Sequence, residues 1–179
     1  EFYLKTEVVF GPGTEARTAQ LVRKHGGRRV LVVYGGGSCV RSGLLDRICS
    51  QLTEAGITFE TFGGVQPNPR SGKVYEGIEI CRKEGVDFLL GVGGGSVIDS
   101  CKTVAMLIAN PTDGGIWDYV SFSKQPENPA LPVGLVVTIP STGSESNPSA
   151  VISNDSIQEK LIYTGEPQTA ELTVTVEVV

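Results

Sequence analysis

The sequence predicts an α/β fold in which a mostly parallel sheet is flanked by helices. Two observations support this prediction. Short apolar strands alternate with amphipathic helices, and glycine-rich turns follow several of the strands. Val30 to Tyr34 and Val133 to Ile139 show the strand type, with almost no polar residue. Strands of this composition are usually buried on both faces, as in parallel sheets.

Three strand–helix repeats fill residues 6 to 84. Each strand is a short, mainly apolar run, and each helix repeats apolar residues every three or four positions. Glycine and proline mark turns between them, as in Gly11-Pro12-Gly13. The predicted ranges are, in order, strand 6–10, helix 14–25, strand 30–34, helix 40–55, strand 57–62 and helix 71–84.

A fourth repeat, one short helix and one more buried strand complete the regular part of the chain. Beyond that strand helical spacing ends, and short extended segments follow. The alternating tail LTVTVEVV is rich in Val and Thr, which favours a terminal strand. The predicted ranges are strand 87–92, helix 96–109, helix 116–120, strand 133–139 and extended segments at 149–153, 161–164 and 172–179.

Length and domain organisation point to one compact unit. The chain has 179 residues, of which 40% are hydrophobic and 20% are charged, and this balance is typical of a globular domain. We predict an α/β domain over residues 1–164. Residues 165–179 form an atypical tail, which we expect to add an edge strand to the same domain.

Charge and cysteine content exclude several classes of partner. The net charge of -5 offers no basic surplus for a nucleic acid or an anionic membrane. No apolar run reaches the roughly 20 residues that a spanning helix needs, and no signal pattern opens the chain. Four cysteines without a CxxC pair favour reduced thiols. We therefore expect a soluble, cytoplasmic protein.

The strongest local signal is Gly91-Val92-Gly93-Gly94-Gly95-Ser96-Val97-Ile98-Asp99, a glycine run between a buried strand and a helix. Glycines let a ligand approach the backbone closely, and a helix N-terminus offers free N–H groups and a partial positive charge. The segment can therefore hold a pyrophosphate without basic residues. It departs from the GxGxxG fingerprint, because Ser96 stands at the last glycine position. The alternative is a structural turn in which Ser96 and Asp99 form a capping box-like helix start.

Two more polar segments follow strands and are therefore expected at the same edge of the sheet as the glycine run, where the parallel strands end. Gly35-Gly36-Gly37-Ser38 also follows a strand and contains no carboxylate, so the loop would tolerate a cofactor with a 2′-phosphate. A plain strand-to-helix turn is the alternative. Residues 138–145 leave a buried strand with four hydroxyls, enough donors for a phosphate, a ribose or a nicotinamide amide. A solvated polar turn is the alternative there.

Five segments resemble landmarks of the iron-containing (group III) alcohol dehydrogenases, nearest the butanol dehydrogenase-like branch. The resemblance implies a Rossmann-like nucleotide-binding domain, the N-terminal half of an oxidoreductase that uses NADP or NAD on alcohols or aldehydes. The segments stand in the family's order and are Phe10-Gly11-Pro12-Gly13, residues 34–38, residues 63–69, residues 91–102 and residues 138–147.

The resemblance also implies a set of cofactor-binding residues. Each is identified by its position in one of the matching segments, except for a lysine in Glu159-Lys160-Leu161, whose alternative is an ordinary surface lysine. The implied contacts are Gly94, Gly95 and Ser96 with the pyrophosphate, Asp99 beside the nicotinamide ribose, Gly37 and Ser38 with the adenosine ribose or its 2′-phosphate, Asn68 near the cofactor, Thr138 and Thr142 on the adenine and phosphate side, and Lys160 with the cofactor ribose.

The resemblance does not extend to a metal site. Enzymes of this family bind iron or zinc through one aspartate and three histidines, most of them from an all-helical C-terminal domain. This chain has one histidine, His25, at a predicted helix end. Three imidazoles and a carboxylate cannot be assembled from it, so we predict no metal-binding and no catalytic residue in this chain. We expect a catalytically incomplete chain from which the helical metal-binding domain is absent.

Three hypotheses for function remain open. The first is the NAD(P)-binding domain of a metal-dependent alcohol or aldehyde oxidoreductase, with a nicotinamide dinucleotide as partner. The second is a non-enzymatic, engineered or truncated nucleotide-binding scaffold. The third is a domain like those of glycerol dehydrogenase or dehydroquinate synthase, which share the glycine loop but differ around Thr142 to Glu145. We also expect a homodimer, because the face that would meet the helical domain needs cover.

Overall fold

The structure is a computed structural model. It describes residues 6–120, 124–139, 142–154 and 157–164, and the backbone of residues 172–175. Eight strands and six α-helices lie in these ranges. The strands are β1 (Glu7–Phe10), β2 (Arg29–Tyr34), β3 (Thr58–Phe62), β4 (Phe88–Gly93), β5 (Val133–Val137), β6 (Ser149–Asn154), β7 (Glu159–Thr164) and β8 (Leu172–Thr175). The helices are α1 (Thr18–Lys24), α2 (Ser38–Arg41), α3 (Leu44–Glu54), α4 (Ser71–Glu84), α5 (Gly95–Ala109) and α6 (Ile116–Val120).

Six of the strands form one sheet in the order β1-β8-β5-β4-β2-β3, and every neighbouring pair is parallel. The other two, β6 and β7, form an antiparallel hairpin. This arrangement confirms the predicted parallel α/β sheet. Among the described residues, no helix combines the length and the hydropathy that a bilayer crossing requires.

Both faces of the sheet are covered, which explains the continuous apolar character of its strands. Helices α1 and α3 cover one face, where Phe88 and Leu90 of β4 belong to the same buried cluster as Leu21 and Ile48. On the other face, Leu89 belongs to a cluster that includes residues of α4, α5 and the hairpin. Successive side chains of a strand point to opposite faces, so β4 must be apolar at every position.

The tail strand β8 lies between β1 and β5, not at an edge of the sheet. Leu172 is paired with Glu7 on one side and with Gly134 on the other. The predicted edge position for the tail is therefore wrong. The edges belong to β1 and β3, which alternate between exposed and more buried positions along most of their length. Alternation of Val and Thr predicts an extended strand, but it does not identify the neighbours of that strand.

Candidate functional site

The candidate site lies at the carboxyl edge of the sheet. Neighbouring parallel strands β5, β4, β2 and β3 all end there, and their loops run on from that edge. Strands β2 and β4 are paired, yet the strands that follow them, β3 and β5, lie on opposite sides of the pair. A crevice at such a reversal of strand order is where ligands of open α/β sheets collect. The loops that follow these strands carry Gly37 and Ser38, Asn68, Gly94, Gly95 and Ser96, and Thr138 and Thr142.

The N-terminus of α5 presents two backbone amides to this edge. Gly94 precedes the helix in an extended conformation, and no side chain caps it. Its carbonyl accepts from the amides of Val97 at 3.0 Å and Ile98 at 3.2 Å. The amides of Gly95 and Ser96 have no acceptor among the residues that the structure describes. A 15-residue helix thus points its positive end and two N–H groups into the crevice.

The glycines of this loop fall into two kinds. A β-carbon at Gly91 would lie 2.9 Å from the sulfur of Cys101, and one at Gly93 would lie 2.7 Å from a methyl of Val97. Packing therefore requires glycine at both positions. At Gly94 the nearest atom would be 3.8 Å away, and at Gly95 no atom would lie within 4 Å. Neither residue has a left-handed φ, so the protein itself does not require glycine there.

The second glycine loop lies beside the first. A β-carbon at Gly35 would come within 3.4 Å of a methyl of Val97, which belongs to the first turn of α5. Gly37 has a φ of 107°, so its backbone conformation alone favours glycine. Ser38 is exposed and begins the four-residue helix α2. The structure thus brings Gly37 and Ser38 to the same edge as the glycine run.

Asp99 is bound by donors from the segment after β5. Its Oδ1 accepts from the Ser144 hydroxyl at 2.6 Å, and its Oδ2 accepts from the Val151 amide at 3.1 Å. The side chain is 13% exposed. Since both oxygens have these partners and α5 has no side-chain cap, the capping-box alternative for Ser96 and Asp99 is wrong.

Lys102 lies one turn after Asp99 and is fully buried. Its ammonium donates to the carbonyl of Ser144 at 2.7 Å and to the hydroxyl of the same residue at 2.9 Å. The carbonyls of Asn147, at 3.2 Å, and Ser149 also accept from it. Burial lowers the pKa of Lys102 to about 8, and attraction to Asp99 and Glu145 opposes this change.

Lys102 is not among the site residues predicted from the sequence. A signal was present, because Asp99 and Lys102 stand three residues apart in a helix that is otherwise mostly apolar. This spacing places two opposite charges on one face of a helix. Such a pair within a buried helix requires partners, and here the Nζ of Lys102 lies 4.0 Å from Oδ1 of Asp99.

The segment after β5 meets the glycine run at its start. The amide of Thr138 donates to the carbonyl of Gly93 at 3.1 Å, and Thr138 is half-buried. Thr142 is exposed and precedes Gly143, whose φ is 72°. Pro140 and Ser141, which belong to the polar segment predicted over residues 138–145, lie outside the described residues.

Asn68 and Lys160 come together although 92 residues separate them. The ammonium of Lys160 donates to Oδ1 of Asn68 at 2.8 Å. The amide of Ser153 donates to the carbonyl of Pro69 at 2.8 Å, which fixes the hairpin beside this segment. A cavity of about 520 Å³ lies there, lined by Pro67, Asn68, Arg70, Ser153, Asn154, Gln158, Glu159 and Lys160.

His25 lies away from this edge. It follows α1, and its Nε2 is 2.6 Å from a carboxylate oxygen of Glu7, at the amino end of β1. Within the part of the chain that the structure describes, no group of three or more His, Cys, Asp or Glu side chains is arranged to hold a metal ion. The described residues therefore do not fit a site built from three imidazoles and a carboxylate.

The parallel sheet, its two covered faces and the glycine loops at its reversal point define a Rossmann-like α/β domain. The family model for iron-containing alcohol dehydrogenase matches residues 5–175, and the chain belongs to this family. This match confirms the resemblance that five sequence segments predicted.

Two similar proteins support the same assignment. Probable NADH-dependent butanol dehydrogenase 1 of Bacillus subtilis is 45% identical over 159 residues, which cover 89% of this chain and 40% of that protein. NADPH-dependent aldehyde reductase YqhD of Escherichia coli is 37% identical over 158 residues, 88% of this chain and 40% of that protein. The chain spans about 40% of the length of these relatives.

A solved structure matches over nearly the whole chain. The NADH-dependent butanol dehydrogenase A from Thermotoga maritima is similar with a TM-score of 0.91 and 39% sequence identity. The match covers 98% of this chain and 44% of that chain. The similarity to the butanol dehydrogenase branch therefore holds in sequence and in fold.

Proposed function

We propose that this chain binds a nicotinamide dinucleotide, NADP or NAD, as the cofactor domain of a metal-dependent alcohol or aldehyde oxidoreductase. The observation that supports this most directly is at the start of α5. There, the amides of residues 95 and 96 have no acceptor among the described residues, and the fold itself does not require glycine at positions 94 and 95. A pyrophosphate fits this combination, because it needs N–H donors, a positive helix end and close approach to the backbone.

The candidate residues lie on four loops, and each loop binds a different part of the cofactor. The amides of Gly95 and Ser96 donate to pyrophosphate oxygens, while Gly37 and Ser38 meet the adenosine ribose. The loop 35–38 carries no carboxylate that would repel a 2′-phosphate, so it accepts either form of the cofactor. Named relatives include an NADH-dependent and an NADPH-dependent protein, which agrees with this tolerance.

The other candidate residues act on the remaining parts of the dinucleotide. Thr138 and Thr142 supply hydroxyls on the adenine and phosphate side. Asn68 and Lys160 supply an amide and an ammonium beside a cavity that is large enough for a ribose. In this proposal Asp99 meets the nicotinamide ribose, and the Ser144 hydroxyl and the Val151 amide orient its carboxylate.

The bound cofactor would accept or donate a hydride, and the residues of this chain would hold and orient it. Hydride transfer to or from an alcohol also needs a group that stabilises the alkoxide or polarises the carbonyl. In the proposed enzyme a metal ion would supply this group, and among the described residues no set of three or more His, Cys, Asp or Glu side chains is arranged to hold one. We therefore propose that this chain alone does not turn over butanal.

Calorimetric titration with NADH and NADPH tests this function, with Gly95→Ala as the diagnostic variant. A methyl at residue 95 enters open space, so we expect the free energy of unfolding to stay level or rise by about 0.4–1 kcal/mol. The same methyl occupies the space of the pyrophosphate, so the affinity should fall by more than about tenfold.

Gly72→Ala is the matched control. Gly72 lies in the first turn of α4, and a β-carbon there also meets no atom within 4 Å. This variant should gain similar stability and keep the affinity of the unaltered chain. Absence of binding by the unaltered chain at millimolar cofactor would reject the cofactor claim and leave only a stable scaffold without nucleotide affinity. Equal cofactor affinity of Gly95→Ala and Gly72→Ala would show that the pyrophosphate does not bind at the N-terminus of α5.

A further inference from the structure

We propose that Lys102 is a positioning residue of the cofactor site, which fastens the segment after β5 to the helix whose N-terminus faces the phosphates. This inference rests on the proposed function. Lys102 does not touch the cofactor in this proposal. It fixes the distance between two groups that do, namely the amides that open α5 and the hydroxyl residues that follow β5.

The geometry consists of two charged side chains of one helix that hold the same segment. The Ser144 hydroxyl donates to Oδ1 of Asp99 at 2.6 Å and accepts from the ammonium of Lys102 at 2.9 Å. The ammonium also binds three main-chain carbonyls between Ser144 and Ser149. The segment therefore curves around one buried cation.

This curvature depends on Lys102 more than on contacts within the segment. Three carbonyls that converge on one point repel one another unless a cation lies between them. Within the segment, the bonds include those from the Asn147 side chain to the Gly143 carbonyl at 2.9 Å and from the Ser149 amide to Oδ1 of Asn147 at 2.9 Å. Neither bond reaches α5.

The contacts of Asp99 and Lys102 with this segment lie close to the candidate phosphate site, both on α5 and on the segment after β5. Asp99 and Lys102 are on the first two turns of α5, just after the amides of Gly95 and Ser96. Ser144 follows Thr142 by two residues, and the amide of Thr138 is bound to the carbonyl of Gly93. The polar segment is thus tied to the glycine run at one end and to Lys102 at the other.

A buried ammonium is not needed merely to fill this space. A methionine has a similar length, and apolar side chains often replace buried ionic groups without loss of stability when all partners are replaced. Lys102 instead occupies a fully buried position with four oxygen acceptors around it. Specific placement of the segment is the property that an apolar side chain could not supply.

The test compares NADH affinity in Lys102→Met and Tyr163→Phe, measured calorimetrically well below the melting temperature. The hydroxyl of Tyr163 donates to Thr103 at 2.8 Å, so the control removes a buried polar contact between the same helix and the neighbouring hairpin. We expect Lys102→Met to raise the Kd at least about tenfold and Tyr163→Phe to leave it within about twofold, while both lower the melting temperature.

Ser144→Ala provides a second, milder variant for the case in which Lys102→Met does not fold. It removes only the hydroxyl that bridges the two charged side chains, and we expect the Kd to rise about threefold. A merely structural role for Lys102 predicts lower melting temperatures with an unchanged Kd in both variants, and that result overturns the inference. If the unaltered chain binds neither NADH nor NADPH, the proposed function fails as well, so the two failures are distinguishable.

Discussion

The burial of Cys81 makes the free energy of unfolding depend on pH. Its thiol lies on α4, only 2% exposed, and burial raises its pKa from 9.0 to about 12. The unfolded chain loses this proton near pH 9, whereas the folded chain keeps it. Between these values the folded state binds more protons, so the free energy of unfolding falls as the pH rises. The contribution of this thiol to the free energy of unfolding is therefore complete below pH 9 and is lost toward pH 12.

Urea unfolding of the reduced protein at about pH 8 and pH 10 measures this effect. The unaltered chain should lose roughly 1 kcal/mol more stability than Cys81→Ala between the two conditions, because the variant lacks this titration. The packing lost with the sulfur lowers the stability of the variant equally at both pH values. Parallel pH profiles for the two proteins would contradict the expectation.

Individual residues show what the sequence could predict about the site. The position of Gly94, Gly95 and Ser96 at the carboxyl edge was predictable, because a glycine run between a strand and a helix has only a few possible positions in an α/β sheet, whereas their roles as cofactor contacts came from the family resemblance. The partners of Asp99 were not predictable, since Ser144 and Val151 come from a segment 45 and 52 residues away. Patterns within one element do not encode contacts between distant segments.

At the scale of elements, the internal position of β8 makes a prediction. A strand with neighbours on both sides donates and accepts along both edges, so proline within it removes a ladder bond. We expect Thr173→Pro to lower the free energy of unfolding by roughly 3 kcal/mol or more. Thr173→Ala, which keeps the amide, should cost at most about 1 kcal/mol. Similar urea midpoints for the two variants would show that β8 is not paired as described.

Helix and strand ranges were predictable where the apolar spacing is uninterrupted. Helix α4 covers residues 71–84, as the spacing predicted. The predicted helix over residues 40–55 is instead two helices, α2 and α3. Gly43 separates them with a φ of 71°, a left-handed conformation that a continuous helix does not contain. The apolar spacing continues across this break, so periodicity alone did not reveal it.

The whole molecule shows why fold and site differ in predictability. The parallel sheet follows from buried strands that alternate with helices, a pattern read along the chain. The site requires knowledge of which strand ends are neighbours. Asn68 and Lys160 meet because the antiparallel hairpin packs beside Pro69, and no repeat or residue spacing in the sequence predicts that contact. Family resemblance, not periodicity, was what pointed to Lys160.

Self-association is the prediction that belongs to the molecule as a whole. Edge strand β1 exposes Phe10 by 72% and Val8 by 49% on one face, and its other face carries Glu7 and Val9. Native proteins usually protect sheet edges, and exposed apolar edges favour pairing between chains. We expect concentration-dependent dimers in sedimentation, and we expect Phe10→Asp to abolish them. Ile157→Asp, which alters another exposed apolar residue, should not. A purely monomeric native chain at high concentration would contradict this expectation.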